Sequence, residues 1–340
     1  MGSFPVRDGD RKGTGAKQNL TNEKLLEETT EGVDGVTSYV VKRVGYALLT
    51  IFLISIITFF VMNLIPGGPF LSEKNMAPNI VAALKAKYGL DKPLWQQYLN
   101  YMGNFLQGDL GVSLKQLGRS ANDIILSEFP VSAKVGGLAI LFAMILGVFM
   151  GSVAALNHGK AADHILMVIS TIGIAVPSFV VASVLMVIFG VNLKILPTIG
   201  LKTPVSYILP VASLAFYPMA YITRLMRSSM LDALNQDYIR TATAKGVSRF
   251  SLLFKHAMRN AIIPVITYVG PLLAYTVTGS FVVETIFNIP GLGREFIKCI
   301  MSRDYPLVMS TTIFLAIILV LMNVVVDILY KVIDPRIKLK

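Results

Sequence analysis

Six stretches of this chain are apolar for long enough to cross a bilayer: 44–65, 132–156, 165–191, 208–226, 262–284 and 307–330. A helical span needs about 20 such residues to cover roughly 30 Å of hydrocarbon. Lipid offers no partner to a backbone N–H or C=O, so spans of this length satisfy those groups internally, as helices. The expected fold is an all-α integral membrane protein with six transmembrane helices. Charged residues make up only 15% of the sequence, against about 25% in soluble domains.

The charges between the spans set an orientation. Short loops rich in Lys and Arg stay on the cytoplasmic side. Lys42 and Arg43 precede the first span, which puts the N-terminus inside. Counting crossings then places 157–164 and 227–261 inside, 66–131, 192–207 and 285–306 outside, and the C-terminus inside. The last ten residues, KVIDPRIKLK, carry four bases and one acid, as an inside tail should. The most informative loop lies around 227–261. From Tyr221 to Pro264 it carries Arg224, Arg227, Arg240, Lys245, Arg249, Lys255 and Arg259 against Asp232 and Asp237. It reads as two short helices broken at Gly246, a shape that another cytoplasmic protein can grip. Gly246 can end the first helix without steric cost, and Ser248 can cap the second.

The remaining segments have their own signatures. Residues 1–37 are polar, with seven acids and five bases, and read as a disordered cytoplasmic arm. Residues 38–340 are expected to form the membrane domain. The external segment 66–131 holds three expected helices. One runs over 77–88 and ends at Gly89. A second opens at Pro93-Leu94 and closes at Gly108, with Leu94, Tyr98, Tyr101, Met102 and Phe105 on one stripe. A third begins after Ser120 as its N-cap. This segment is either a cap on the outer membrane face or a docking surface for an external protein. Pro210 and Pro218 interrupt the fourth span, and Pro264 and Pro271 the fifth. Helix breakers at membrane depth are tolerated beside other helices or a cavity, so these spans are candidates to line a pathway, with a packing kink as the plain alternative. Asp327 and Asn323 lie in the sixth span, where Asp327, within a turn of Lys331, fits an interface or helix contact better than an ion path. Glu284 ends the fifth, as a gate or a headgroup contact.

Several functions are disfavoured. No G-x-x-x-x-G-K-[ST] phosphate loop occurs. No nucleophile-base-acid constellation is visible. His158, His164 and His256 are scattered, and Cys299 is the single cysteine, so neither a metal site nor an intrachain disulfide is expected. The net charge of +11 sits at span ends and loops, which fits lipid and topology rather than nucleic acid. An ion-driven secondary transporter would want mid-membrane ionisable residues, and these are nearly missing.

The stretch YIRTATAKGVSRFSLLFKHAMRNAIIP resembles the cytoplasmic loop of ABC importer permeases in its peptide-transporter version. Arg240-Thr241-Ala242 stands where the general pattern has Glu-Ala-Ala, and Gly246 matches its glycine. The Glu is missing, and His256-Ala257-Met258-Arg259 replaces the usual Ile-x-Leu-Pro, a departure itself typical of peptide and nickel permeases. NLIPGGPF, KYGLDKPLWQQYLNY, GDLGVSL, FPVSAKVGGLA, VPSFVVAS, GSFVVETIFNIPGLG, SRDYPLVMS and VDILYKVIDPRI agree. Over about 38–338 the chain is similar to the B-type transmembrane subunits of bacterial oligopeptide importers, in the peptide/nickel permease family.

That resemblance implies a type I ABC importer permease of the bacterial inner membrane, forming half of a translocation pathway. It implies a homologous C-type permease, two cytoplasmic ATP-binding subunits that carry ATP and Mg, and an external peptide-binding protein. The chain itself would bind no cofactor and catalyse nothing. Dipeptides, nickel chelates or other small cargo are the alternatives to oligopeptides. The ATPase-coupling residues would be Asp237, Tyr238, Arg240, Thr241, Ala242, Lys245, Gly246 and Ser248. The candidate pathway residues are Ser178, Ser183, Tyr217, Thr276, Ser280 and Glu284, each with helix packing as its plainer role.

Overall fold

A computed structural model of the chain describes residues 42–66, 68, 69, 82, 83, 86 and 88–333. The arm 1–37, nearly all of the helix expected over 77–88 and the tail 334–340 lie outside the described residues. The chain divides into two units, Met1–Phe52 with Ile337–Lys340, and Leu53–Arg336. Of the first, the description covers 42–52, which belongs to α1, Lys42–Leu64. Polar side chains in this helix turn back on their own backbone: Thr50 donates to the Tyr46 carbonyl and Asn63 to that of Phe59.

Among the described residues of the second unit the regular elements are helices, joined by turns and loops, with one isolated bridge between Val112 and Ser120. Helix α2, Leu94–Leu106, starts after Pro93 as expected. Its Tyr98 is buried and bonds Ser55 at 2.8 Å, while Leu94 of the expected stripe is exposed. The third external helix and the second span are one element. Ser120 does cap it, accepting from the Asp123 N–H, but α3 then runs unbroken over Ala121–Leu156, through Pro130. Its 36 residues extend about 54 Å, well over the roughly 30 Å of hydrocarbon that a span must cover.

The third span is not straight. Helix α4, Ala161–Ala175, stops before Pro177, and α5, Ser178–Leu185 with a π continuation Met186–Asn192, leaves at 105° to it. Proline excludes the helical conformation at the residue before it and removes an N–H. The fourth span, α6, is longer than expected. It covers Ile208–Leu234 and carries straight into the loop that begins, by hydropathy, at 227. Then come α7, Asp237–Ala244, and α8, which is Arg249–Ser251, a π turn Leu252–Ala257 and Met258–Ala261. The fifth span, α9, is Ile263–Val277 and does not reach Glu284. It bends 48° from Leu252–Ala261, so the rest of this span comes out of α8. Short α10, Phe281–Ile286, and α11, Leu292–Ser302, precede the last span, α12, Tyr305–Ile333. Among the described residues four helices are long and apolar enough to cross a membrane, or up to six spans if each bent pair is one. Asp327 is half-buried on α12; the side chain of Lys331 lies outside the description.

The core forms where α3 meets α6. Ala139, Ala143, Gly147, Gly151 and Ala155 recur every fourth residue on α3, and all are buried. A Cβ at Gly151 would fall 2.6 Å from the Met226 Cβ and the Thr223 carbonyl. Lipid tails are as apolar as leucine, so membrane helices associate through close packing of such small residues. Ile222, Met226 and Met230 of α6 fill this seam, and Ile239, Ala257, Ala261 and Val265 extend it under the loop between the fourth and fifth spans.

Two of the sequence signatures meet between α2 and the start of α12. The Asp304 carboxylate, in the α11–α12 turn, accepts from the Ser113 hydroxyl and from the Leu114 N–H at 3.0 Å. The Ser310 hydroxyl lies 2.6 Å from the Leu110 carbonyl and 3.1 Å from the Tyr101 hydroxyl. Thus GDLGVSL is fastened to SRDYPLVMS by buried polar contacts.

Cys299 on α11 is buried beside Thr311, and burial pushes its thiol up to about 12. The thiolate is the reactive form, and at pH 7–8 almost none of it exists here. In the native protein an aqueous maleimide should leave Cys299 unmodified, and denaturation in SDS should expose it. Rapid native labelling would contradict this burial.

Candidate functional site

The expected two-helix loop is present, and its break is built in detail. The Gly246 N–H bonds the Thr243 carbonyl at 3.0 Å, and the Val247 N–H bonds that of Ala242 at 3.2 Å. This pair of bonds is the Schellman ending of a helix, with Gly246 at φ +75°. The Ser251 N–H then approaches the Ser248 hydroxyl at 3.4 Å, and the Leu252 N–H bonds the Ser248 carbonyl. Ser248 therefore starts α8, as its sequence position suggested.

Helix α7 has two faces. Ile239 and Ala242 are buried, Ile239 in the seam under α6. Asp237, Tyr238, Arg240, Thr241 and Lys245 are exposed. Ala242 is on the side of α7 turned toward this chain, 8% exposed. Tyr238 is tied inward as well, its hydroxyl accepting from the Asn260 amide at 2.9 Å. The pair Arg240–Asp237 stands in solvent at 3.7 Å and adds little.

Four of the six candidate pathway residues come together. Ser178, Tyr217, Thr276 and Ser280 line one cavity of about 510 Å³ between the α4–α5 break, α6 and the end of α9. Pro177 and Pro218 are in its wall, as are Tyr275 and Phe281. No Asp, Glu, Lys, Arg or His lines it. Tyr275 is 72% exposed within this chain. Thr276 bonds its own helix, donating to the Leu272 carbonyl, and the Ser280 hydroxyl caps α10.

Ser183 and Glu284 are elsewhere. The Ser183 hydroxyl donates to the Phe179 carbonyl of its own helix, and Ser183 is not in the cavity wall. Glu284 is buried, 1% exposed. Its carboxylate accepts from the Ser280 N–H at 3.2 Å and the Arg294 N–H at 2.9 Å. The backbone of Gly279, Gly291 and Gly293 closes over it. It holds the turn between α10 and α11 through these backbone hydrogen bonds.

The residues that sequence reasoning missed are at the start of α4 and on α6 near its C-terminal end. Asp163, in the first turn of α4, is buried and accepts from Arg227 Nε at 2.5 Å and Nη2 at 2.7 Å. The Gly159 N–H adds a bond at 3.0 Å, and His158 Nδ1 lies 3.2 Å away. This two-pronged pair clamps the start of α4 to α6 just before α6 leaves for α7. Arg227 is visible in sequence as one loop cation among many. The available signal was Asp163 itself, the sole acid between Glu128 and Asp232.

With this geometry in place, comparison with known proteins is informative. Residues 143–339 match the family model of the binding-protein-dependent transport system inner membrane component, and 36–133 match the N-terminal membrane component of such systems. The oligopeptide transport system permease protein OppB of Haemophilus influenzae is 46% identical over 302 residues, covering 88% of this chain and 99% of that protein. The dipeptide transport system permease protein DppB of Bacillus subtilis is 45% identical over 301 residues, covering 88% and 98%. A crystal structure of an amino acid ABC transporter with histidines aligns at a TM-score of 0.49 and 15% identity, over 62% of this chain and 94% of that one.

Proposed function

This chain belongs to the binding-protein-dependent transport system inner membrane components, and from that premise we propose that it forms half of an ATP-driven import pathway for short peptides. The observation that carries the reading is near-complete coverage of peptide permeases at 40–46% identity. These relatives include oligopeptide and dipeptide permeases, so the proposal is for short peptides as a class. The chain is the membrane component and not the ATPase. ATP and Mg belong to two cytoplasmic subunits, a homologous permease supplies the other half, and an external protein delivers the peptide.

The mechanism follows from the two regions. Helix α7 offers its exposed face, Asp237, Tyr238, Arg240, Thr241 and Lys245, to an ATP-binding subunit. Closure of those subunits moves α7. Two residues away, α6 receives the displacement as an unbroken 27-residue rod. The clamp at Asp163 and the α3 seam make α3, α4 and α6 move together, and the cavity beside Tyr217 changes its access. A cavity with hydroxyls and aromatic rings and no charges suits a peptide backbone while leaving side chains unread. The N- and C-termini and the 227–261 loop face the cytoplasm.

The test is reconstitution of the full assembly in liposomes. Import of short peptides should depend on ATP and cease with a non-hydrolysable analogue, and the single chain should be inert. Proton- or sodium-driven uptake by the chain alone would overturn the mechanism. Import of a metal chelate with no response to peptides would overturn the cargo. Orientation has its own check in intact cells. An impermeant maleimide should label Leu117→Cys and spare Asn235→Cys, and the reverse pattern would invert the topology.

A further inference from the structure

The cytoplasmic loop carries an aromatic pair that nothing in the described chain covers. Phe250 and Phe254 of α8 are 71% and 54% exposed, with ring centroids 4.5 Å apart. Lys255 and Arg259 are exposed on the same helix, while Ala257 and Ala261 face the core. From Tyr238 to Val283 the sequence has no Asp or Glu. The band is thus aromatic and basic without an acid to balance it.

The length of the fifth span says where this band stands. Helix α9 has 15 residues, which is about 22 Å of rise against roughly 30 Å of hydrocarbon. The missing ~8 Å must come from the helix that precedes it. Helix α8 meets α9 at 48°, so each of its residues gains only about 1 Å along a bilayer normal set by α9. About eight residues before Ile263 are then at or within the boundary, which falls near Phe254 and Lys255. Aromatic rings favour the headgroup level, and long basic side chains reach from there to phosphate. The π turn Leu252–Ala257 widens the helix where the rings emerge, a local departure that often marks a functional position.

We propose that the Phe250–Phe254 face of α8, with Lys255 and Arg259, is an anchor for the anionic lipid surface of the cytoplasmic leaflet. The rings enter the headgroup–acyl boundary and the cations pair with lipid phosphates. Helix α7 is then free to follow an ATP-binding subunit while α8, beyond the Gly246 break, stays fixed to the bilayer. This rests on the cytoplasmic placement proposed above for the loop. The experiment below needs no transport, so the two readings fail separately.

A nitroxide is placed at Phe254→Cys, and separately at Phe250→Cys, in the full assembly. Vesicles of phosphatidylethanolamine with phosphatidylglycerol hold the protein, and collision with oxygen is compared with collision with a water-soluble nickel chelate. A lipid-seated label meets oxygen severalfold more than the chelate. Exchanging phosphatidylglycerol for phosphatidylcholine should lower that ratio severalfold, because the cations lose their partners. High chelate collision at both sites would overturn the proposal. Low collision with both reagents, the pattern of a face covered by a protein subunit, would also overturn it. A ratio indifferent to the lipid exchange would overturn the anionic assignment.

Discussion

Asp163→Ala should abolish peptide import and destabilise the membrane domain by about 3–5 kcal/mol, the usual cost of breaking a buried ion pair from one side. The substitution leaves the Arg227 guanidinium without the carboxylate that takes two of its N–H groups. It also frees the Gly159 N–H, so the turn between α3 and α4 loses its tie. Asp163→Asn keeps the volume and one acceptor and should fall between alanine and the native protein. The exchange Asp163→Arg with Arg227→Asp restores opposite charges at the same place. It should recover part of the thermal stability lost in either single reversal. Melting of the purified assembly and peptide uptake per ATP hydrolysed are the two readouts. Native stability and import in Asp163→Ala would show that the clamp bears no force.

Gly246→Val should leave the protein in the membrane and eliminate import. At φ +75° a side chain costs about 1–2 kcal/mol, and β-branching worsens the crowding. A Cβ there would meet nothing within 4 Å, so the penalty is one of backbone conformation and not of space. The chain can escape it by undoing the Schellman bonds, which turns the exposed face of α7 away from its present direction. Asparagine tolerates the left-handed conformation, so Gly246→Asn should retain most import. Measured uptake in proteoliposomes, with co-purification of the ATP-binding subunits as the second readout, decides it. Full import by the valine variant would refute the role of the turn. Equal loss in both variants would refute its conformational cause.

The spans were legible because hydropathy reports transfer into lipid, and that term is local. What hydropathy could not carry was direction. The run 165–191 is apolar from end to end, yet the chain turns 105° inside it at Pro177. The same blindness joined Glu284 to the fifth span, whereas the helix stops at Val277 and the carboxylate is claimed by amides of the next turn. Pro130 had the opposite effect. A proline near a helix start suggests an end, but α3 runs through it because the next residues continue into the packed seam with α6. The helix break was readable at Gly246 and Ser248, whose conformations depend on near neighbours. Of the six pathway candidates, Ser178, Tyr217, Thr276 and Ser280 line one cavity, and Ser183, bonded to its own helix, does not. The Asp163–Arg227 clamp joins residues 64 positions apart, and no local pattern announces such a pair.

The exposed face of α7 is where ATP-driven motion is held to enter this chain, and a photoreactive phenylalanine analogue at Thr241 tests that most directly. Thr241 is exposed, and its hydroxyl bonds only its own helix, at the Asp237 carbonyl. In the assembled transporter, illumination should join this position to an ATP-binding subunit and stop peptide import in proportion to the yield of the adduct. Adducts with lipid alone, or import undiminished when most of the chain is joined to an ATP-binding subunit, would contradict it.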